Sequence, residues 1–298
     1  MTIRNLVLSA AILAAAAAPA AGAETITKKV TVAPDVTVEV SNVQGSVEVT
    51  AWDRNEVQLV AELESNKDEL EFEATERMVR IEVDRPHGKY HDDEDDAYLT
   101  LHVPRGARLI VDTVSATINV SGVRGEQNLQ TVSGEVETQS FDAPVSATAV
   151  SGEIAIAGNG GKAVVTTENV SGSAMVSGIR GSYQGEVVSG EIRASIAKAE
   201  RIEASTVSGE IDISADLAPA ARVEMESVSG TVSLKIKPPV NADFDIESFS
   251  GSIENCFGPK PRDTSKYTPG SELNFTQGSG GARVEIQTLS GEISICDR

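Results

Sequence analysis

A five-residue phrase, Val-Ser-Gly-Glu-Ile or a close variant, returns along most of this chain and dominates what it can fold into. It stands at Val132–Val136, Val150–Ile154, Val188–Ile192, Val207–Ile211 and Leu289–Ile293, with looser copies at Val114–Ile118, Val170–Ala174, Val228–Val232 and Phe249–Ile253. The copies centre on Ala116, Gly134, Gly152, Gly172, Gly190, Gly209, Gly230, Gly251 and Gly291, at steps of 18, 18, 20, 18, 19, 21, 21 and 40 residues. The last step is two ordinary periods. A period near 20 marks a repeat architecture whose units stack on their neighbours. A motif copied this often is a structural unit before it is an active site.

Alignment on the centre separates two arms. Seven and five residues before it come pairs such as Leu109 and Val111, Ile202 and Ala204, Val223 and Met225, Phe244 and Ile246, Val284 and Ile286. Two and four after it come Ile118 and Val120, Ile154 and Ile156, Ile211 and Ile213, Val232 and Leu234, Ile293 and Ile295. Each arm alternates apolar and polar with period two, as a half-buried strand does. The position two before the centre is apolar in every copy (Val114, Val132, Val150, Val170, Val188, Val207, Val228, Phe249, Leu289) and is expected to be buried with the rest. A bend or bulge between the arms would absorb their odd spacing.

The central glycine then faces inward, and close approach of the opposite wall or an unusual backbone angle would explain it. Ala116 in the first regular copy points to small size rather than positive φ. Turn signals follow the second arm at Ala143-Pro144, Gly158-Asn159-Gly160-Gly161, Ala218-Pro219 and Pro238-Pro239. No window beyond residue 105 sustains helical spacing, and β-branched residues fill the buried slots. The expected fold is all-β: a β-solenoid of about 20-residue coils with two strands each. A β-sandwich of hairpins is the alternative, because periodicity leaves strand direction open.

Residues 1–23 read as a signal peptide. Arg4 gives a basic start, Leu6 to Ala18 an apolar run of 13 residues, and Ala21-Gly22-Ala23 a small-residue cleavage site. Such a run is short of the roughly 20 residues that span a bilayer. No cysteine follows the cleavage point, so the expected product is a soluble exported chain starting at Glu24. Residues 24–104 are less regular, although Val38, Val40, Val43, Gly45, Val47 and Val49 fit the repeat template. Strands are expected at Glu56–Leu63, Leu70–Ala74, Val79–Val83 and Tyr98–Val103, forming a β layer that starts or caps the repeats of 105–298.

The chain carries 45 acidic and 25 basic residues, a net charge of −20, which argues against nucleic acid or anionic lipid as partner. With 4% aromatics and one tryptophan it has no evident stacking platform for sugars or bases.

Three stretches carry a resemblance. They are Asn42-Val43-Gln44-Gly45-Ser46-Val47 with Ala51-Trp52-Asp53, then Leu99-Thr100-Leu101-His102-Val103-Pro104, then the Val-Ser-Gly-Glu ladder. In these the chain resembles the bacterial putative-adhesin domain family of exported β-repeat proteins, over essentially all of residues 24–298. The resemblance implies a β-solenoid-like fold outside the cytoplasm, and it carries over no catalytic residue.

Four groups of side chains merit a chemical reading. The ladder serines lack a base, since His87, His91 and His102 all precede the regular copies and no Gly-x-Ser-x-Gly elbow surrounds a serine. The glutamates Glu135, Glu153, Glu191, Glu210 and Glu292 should form partial outward ladders, relieved by Ser173, Thr231 and Ser252. In-register strands would bring adjacent copies within about 4.8 Å, but the Gly-Gly-x-Gly-x-Asp signature of calcium β-rolls is absent. His87, His91, Asp92, Asp93, Glu94, Asp95 and Asp96 group possible metal ligands but lack a loop grammar, so they read as a solvated charge block. No cofactor and no metal site is expected.

Cys256 and Cys296 each lie five residues after their glycine, so they share a phase. In an exported protein such a pair reads as a disulfide. Stacking in chain order puts Cys296 in the terminal coil, and the Gly270–Phe275 segment would separate the cysteines if it formed a coil of its own.

The residues together point to a non-enzymatic, exported, acidic solenoid acting as an adhesin-like interaction domain of the cell envelope. The alternative is a periplasmic sensory or regulatory module for envelope stress, working through a protein partner. A carbohydrate-processing β-helix is disfavoured because no carboxylate pair stands out. An exposed apolar stripe would favour the first reading, and a polar groove with clustered carboxylates the last.

Overall fold

The computed structural model describes residues 24–64, 68–84, 96–264 and 270–297. Residues 1–23 and His87, His91, Asp92, Asp93, Glu94 and Asp95 lie outside the described residues. The chain is all-β. Strands β1 (Glu24–Thr31), β2 (Thr37–Trp52), β3 (Glu56–Leu63), β4 (Glu69–Ala74), β5 (Met78–Asp84) and β6 (Ala97–Pro104) precede the regular repeats. The repeats follow as β7 (Arg108–Ser121), β8 (Gln127–Thr131), β9 (Val136–Ser140), β10 (Val145–Gly158) and β11 (Ala163–Ile236), the last running through four copies of the phrase. The chain closes with β12 (Ala242–Asn255), the short β13 (Arg262–Asp263), β14 (Ser271–Gln277) and β15 (Ala282–Cys296).

Successive repeats pair in parallel and in register, so equivalent positions lie on top of one another. β2 sets Val38 beside Leu109, Val40 beside Val111, Val47 beside Ile118 and Val49 beside Val120 on β7. β10 sets Ile154 beside Ala174 and Ile156 beside Val176 on β11. The hairpin alternative would need antiparallel pairing between neighbouring copies. Period-two alternation then gives each arm an apolar inner face, and the side chains of both arms meet in one continuous core. Tyr183 is the largest side chain in it, with its hydroxyl 2.9 Å from Thr167 Oγ1. Burial pushes that phenol up to about 12, against the smaller opposing effect of the Thr167 hydrogen bond.

The expected strands of the N-terminal segment are present as β3 to β6. β5 pairs with the first arm of β2 and β6 with its second arm, both in parallel, so both walls of the repeats continue past β2. Antiparallel strands follow on each wall: β4 on β5, and β3 then β1 on β6. The mostly polar alternation of β1 did not announce a strand. Its Lys28 and Lys29 put charge on an edge strand, a device that discourages pairing with other chains.

The C-terminal end departs from chain order. β15 lies between β11 and β12, parallel to both, with Gly291 beside Gly230 on one side and Gly251 on the other. β14 runs antiparallel along the far side of β12, with β13 on its outer edge, and does not separate the two cysteine-bearing strands. The expectation that the last repeat ends the stack is therefore wrong. The repeats have nearly equivalent edges, so sequence order alone does not determine which edge the final strand chooses.

The sulfurs of Cys256 and Cys296 are bonded, and their α-carbons are 4.9 Å apart because β12 and β15 are neighbours. The bridge ties both ends of the β12–β15 excursion together across a sequence separation of 40. Chain-entropy reasoning puts its contribution at about 4 kcal/mol, reduced if reduced chains keep residual structure. A Cys256→Ser/Cys296→Ser variant should lose roughly that much stability in urea titrations. Exchange protection should fall first in β12, β14 and β15. Uniform loss across the molecule would contradict this placement of the bridge.

Candidate functional site

The bend between the arms decides which side chains reach the surface. The inner face of the first arm continues to the buried position three before the centre, which is polar in eight repeats (Asn42, Thr113, Thr131, Asn169, Thr206, Ser227, Ser248 and Thr288) and apolar in two (Ala149 and Val187). Several of these polar side chains bond backbone groups around the bend, whereas the Thr206 and Ser227 hydroxyls have no hydrogen-bond partner. Thr131 Oγ1 accepts from the Gly134 amide at 2.9 Å, and Thr113 Oγ1 donates to the Ala116 carbonyl at 3.1 Å. Asn169 Nδ2 donates to the Gly152 carbonyl and Asn42 Nδ2 to the Ala97 carbonyl, both at 2.9 Å. A bend leaves backbone groups without ladder partners, and buried groups of that kind require such bonds.

The next two residues both turn outward before the glycine turns in again. The apolar position two before the glycine is therefore on the surface, contrary to the sequence expectation. Its side chains range from 36% exposed at Val43 to 65% at Phe249. The bulge lies two residues later than the apolar pattern implied. Hydrophobicity at that position reflects stacking of neighbouring side chains along the outside.

The glycines hold the repeats close. A Cβ on Gly190 would lie 1.9 Å from the Gly172 carbonyl oxygen, and one on Gly209 would lie 2.0 Å from that of Gly190. The crowding comes from the adjacent repeat's backbone, not from the opposite wall.

Parallel register carries the outward positions into columns. The apolar column runs Val43, Val114, Val132, Val150, Val170, Val188, Val207, Val228, Leu289, Phe249, at about 4.8 Å per step. It presents on the order of several hundred Å² of apolar surface, which monomeric proteins rarely leave exposed without a use. Beside it, the positions four before the glycine form a second column containing Glu168, Glu186, Glu226 and Glu247. A groove of about 710 Å³ runs between the two columns from Thr148 and Val150 to Glu247 and Phe249, floored by residues such as Asn169, Thr206 and Ser227. Farther along the same column Asp112 is pushed above the usual carboxylate range, first by burial and then by the neighbouring Glu39 charge.

The remaining candidates fall as follows. The ladder serines are exposed on the bend, and His102, the one described histidine, pairs with Thr50 and Gln58 and stacks near Trp52 at 5.1 Å. No ladder serine shares its register. Glu153 stands beside Glu135 on the next repeat, whereas Glu292, on the inserted strand, stands between the uncharged Thr231 and Ser252. Glu191 pairs with Arg193. Of the acidic run only Asp96 is described, and it accepts a hydrogen bond from Tyr98 Oη at 3.0 Å. Among the described residues no three His, Cys, Asp or Glu side chains are grouped to hold a metal, and no helix is long and apolar enough to cross a membrane.

Sequence reasoning had found the apolar column but had placed it inside. The buried polar column has its own sequence signal, a Thr, Ser or Asn just before eight of the ten apolar residues, the exceptions being Ala149 before Val150 and Val187 before Val188.

Comparison with known proteins gives three kinds of result. Among curated proteins none matches the chain. Solved structures similar to it include a putative adhesin from Bacteroides fragilis NCTC 9343, at 12% identity and TM-score 0.44, covering 91% of this chain and 97% of that one. A putative cell adhesion protein from Clostridium sporogenes ATCC 15579 aligns at 11% identity and TM-score 0.28, covering 92% and 99%. A putative adhesin from Parabacteroides merdae ATCC 43184 aligns at 10% identity and TM-score 0.26, covering 91% and 96%. The family model described as Toastrack DUF4097 matches residues 35–241, which is most of the chain, and the protein belongs to that family.

Proposed function

We propose that the protein is a non-enzymatic, exported, adhesin-like interaction domain of the bacterial cell envelope. It would be a rigid stack of two-strand coils of about 20 residues each. The observation that carries this reading is the apolar ridge of ten outward side chains, Val43 to Phe249, held at regular spacing by the glycine ladder. Burial of such a ridge against a partner supplies roughly 25 cal/mol per Å² before the costs of association. The Cys256–Cys296 bridge supports an oxidising compartment.

The test replaces Val170, Val188 and Val207 together by threonine. Threonine keeps the β-branched shape and strand preference, and each valine is about half exposed, so thermal stability should change by only a few degrees. The variant should elute earlier in hydrophobic-interaction chromatography and adhere less to cell-envelope preparations. Undiminished adherence of the folded variant would remove the ridge as the binding surface.

A further inference from the structure

The groove beside the ridge has a definite electrostatic character. Its charged lining consists of Glu168, Glu186, Glu226 and Glu247, with no lysine or arginine. Among the described residues none of the four takes part in a salt bridge. Three floor side chains, Asn169, Thr206 and Ser227, are at most 5% exposed, and each has a buried oxygen without a hydrogen-bond partner: Oδ1, Oγ1 and Oγ respectively. The groove therefore joins an apolar wall, an uncompensated acidic wall and unused polar capacity beneath.

We infer that this groove docks a basic amphipathic helix of another protein, its apolar stripe on the valine ridge and its lysines or arginines over the glutamate column. The inference rests on the interaction-domain reading and adds the chemistry of the partner. A second copy is a poor occupant, because facing ridges would bring two acidic columns together in a chain of net charge −20. An anionic membrane surface is repelled for the same reason. Spacing favours a helix over an extended strand. Glu168 and Glu186 stand on adjacent repeats, whereas Glu186 to Glu226 and Glu226 to Glu247 are two repeats apart, since Ser205 and Gln287 occupy the places between. At about 4.8 Å per repeat these gaps are near 5, 10 and 10 Å. Steps of 3, 7 and 7 residues, about 4.5, 10.5 and 10.5 Å long, match these gaps to within about 1 Å and keep four basic side chains within about 100° of one helix face. The seven repeats of the groove span about 29 Å, the length of a helix of roughly 19 residues.

The test measures binding of an 18-residue leucine–lysine amphipathic helix to the purified full chain by fluorescence anisotropy. Leucine–glutamine and leucine–glutamate helices of the same pattern serve as comparison probes. The lysine helix should bind at least 10-fold more tightly than either, and its affinity should fall as salt rises. A Glu168→Gln/Glu186→Gln/Glu226→Gln/Glu247→Gln variant should weaken it about 10-fold. A Glu62→Gln/Glu69→Gln/Glu71→Gln/Glu73→Gln variant, with the same change in net charge on the N-terminal strands, should change it less than 2-fold. Equal losses in the two variants would reduce the effect to net charge and overturn the inference. If the groove variant binds normally while the valine-to-threonine variant still loses envelope adherence, the ridge reading survives and the basic helix does not. Ridge-dependent dimerisation in sedimentation equilibrium, or sedimentation with anionic lipid vesicles, would likewise assign the groove to a different occupant.

Discussion

Gly190→Ala should destabilise the protein severely, by roughly 2–5 kcal/mol, and lower its thermal midpoint by about 10 °C. Two causes act together there. The backbone sits at φ +150°, and the new Cβ would fall 1.9 Å from the carbonyl oxygen of Gly172 in the adjacent repeat. Relief requires the two repeats to separate, and rigid parallel pairing on both sides resists that. Gly160→Ala is the control. Its φ of +83° also disfavours alanine, but no atom lies within 4 Å of the added Cβ. Only the backbone term remains, about 1–2 kcal/mol. Thermal unfolding of the two variants separates crowding from conformational strain. Equal losses would mean that close stacking of repeats is not what demands the glycines.

Ile211→Asp should be comparably damaging and Asp212→Ser nearly silent. Ile211 is fully buried in the core of its repeat, so aspartate there loses the apolar contact and places a carboxylate where no partner waits. The expected loss is at least about 4 kcal/mol, enough to unfold a protein of ordinary stability. Asp212, the next residue, points outward and meets Lys235 Nζ at 2.9 Å, with both side chains partly exposed. Exposed pairs of that kind contribute about 0–1 kcal/mol. Urea titration of both variants tests the two-faced strand. Similar midpoints would refute the assignment of inside and outside along the second arm.

The same contrast of faces governs the surface reading. Outside positions tolerate change because solvent is the alternative environment, which is why valine-to-threonine substitutions on the ridge can test binding without testing folding. Their repetition makes them matter collectively. One exposed valine is ordinary, whereas a column of them offers a continuous contact line for a partner.

Much of the architecture was legible in the residues themselves. The 18-to-21-residue step determined which positions would align, and the pairing of Ile118 with Val136 or Ile154 with Ala174 follows it without adjustment. Strands β3 to β6 were readable from alternation, because local burial on one face imposes period two whatever the neighbours are. Tertiary structure decided the rest. Alternation conveys only relative parity, and a bulge resets it, so the valines of the repeated phrase could be assigned to the core until the buried Thr131 and Asn169 showed where the reset occurs. Strand order is non-local in the same way. Val228, Phe249 and Leu289 belong to repeats with nearly interchangeable edges, and only the assembled sheet places the last of them between the other two. The Thr231–Glu292–Ser252 order and the C-terminal end of the groove depend on that placement, and the Cys256–Cys296 contact on β12 and β15 being neighbours. They arise from pairing between segments far apart in the chain, which no local pattern specifies.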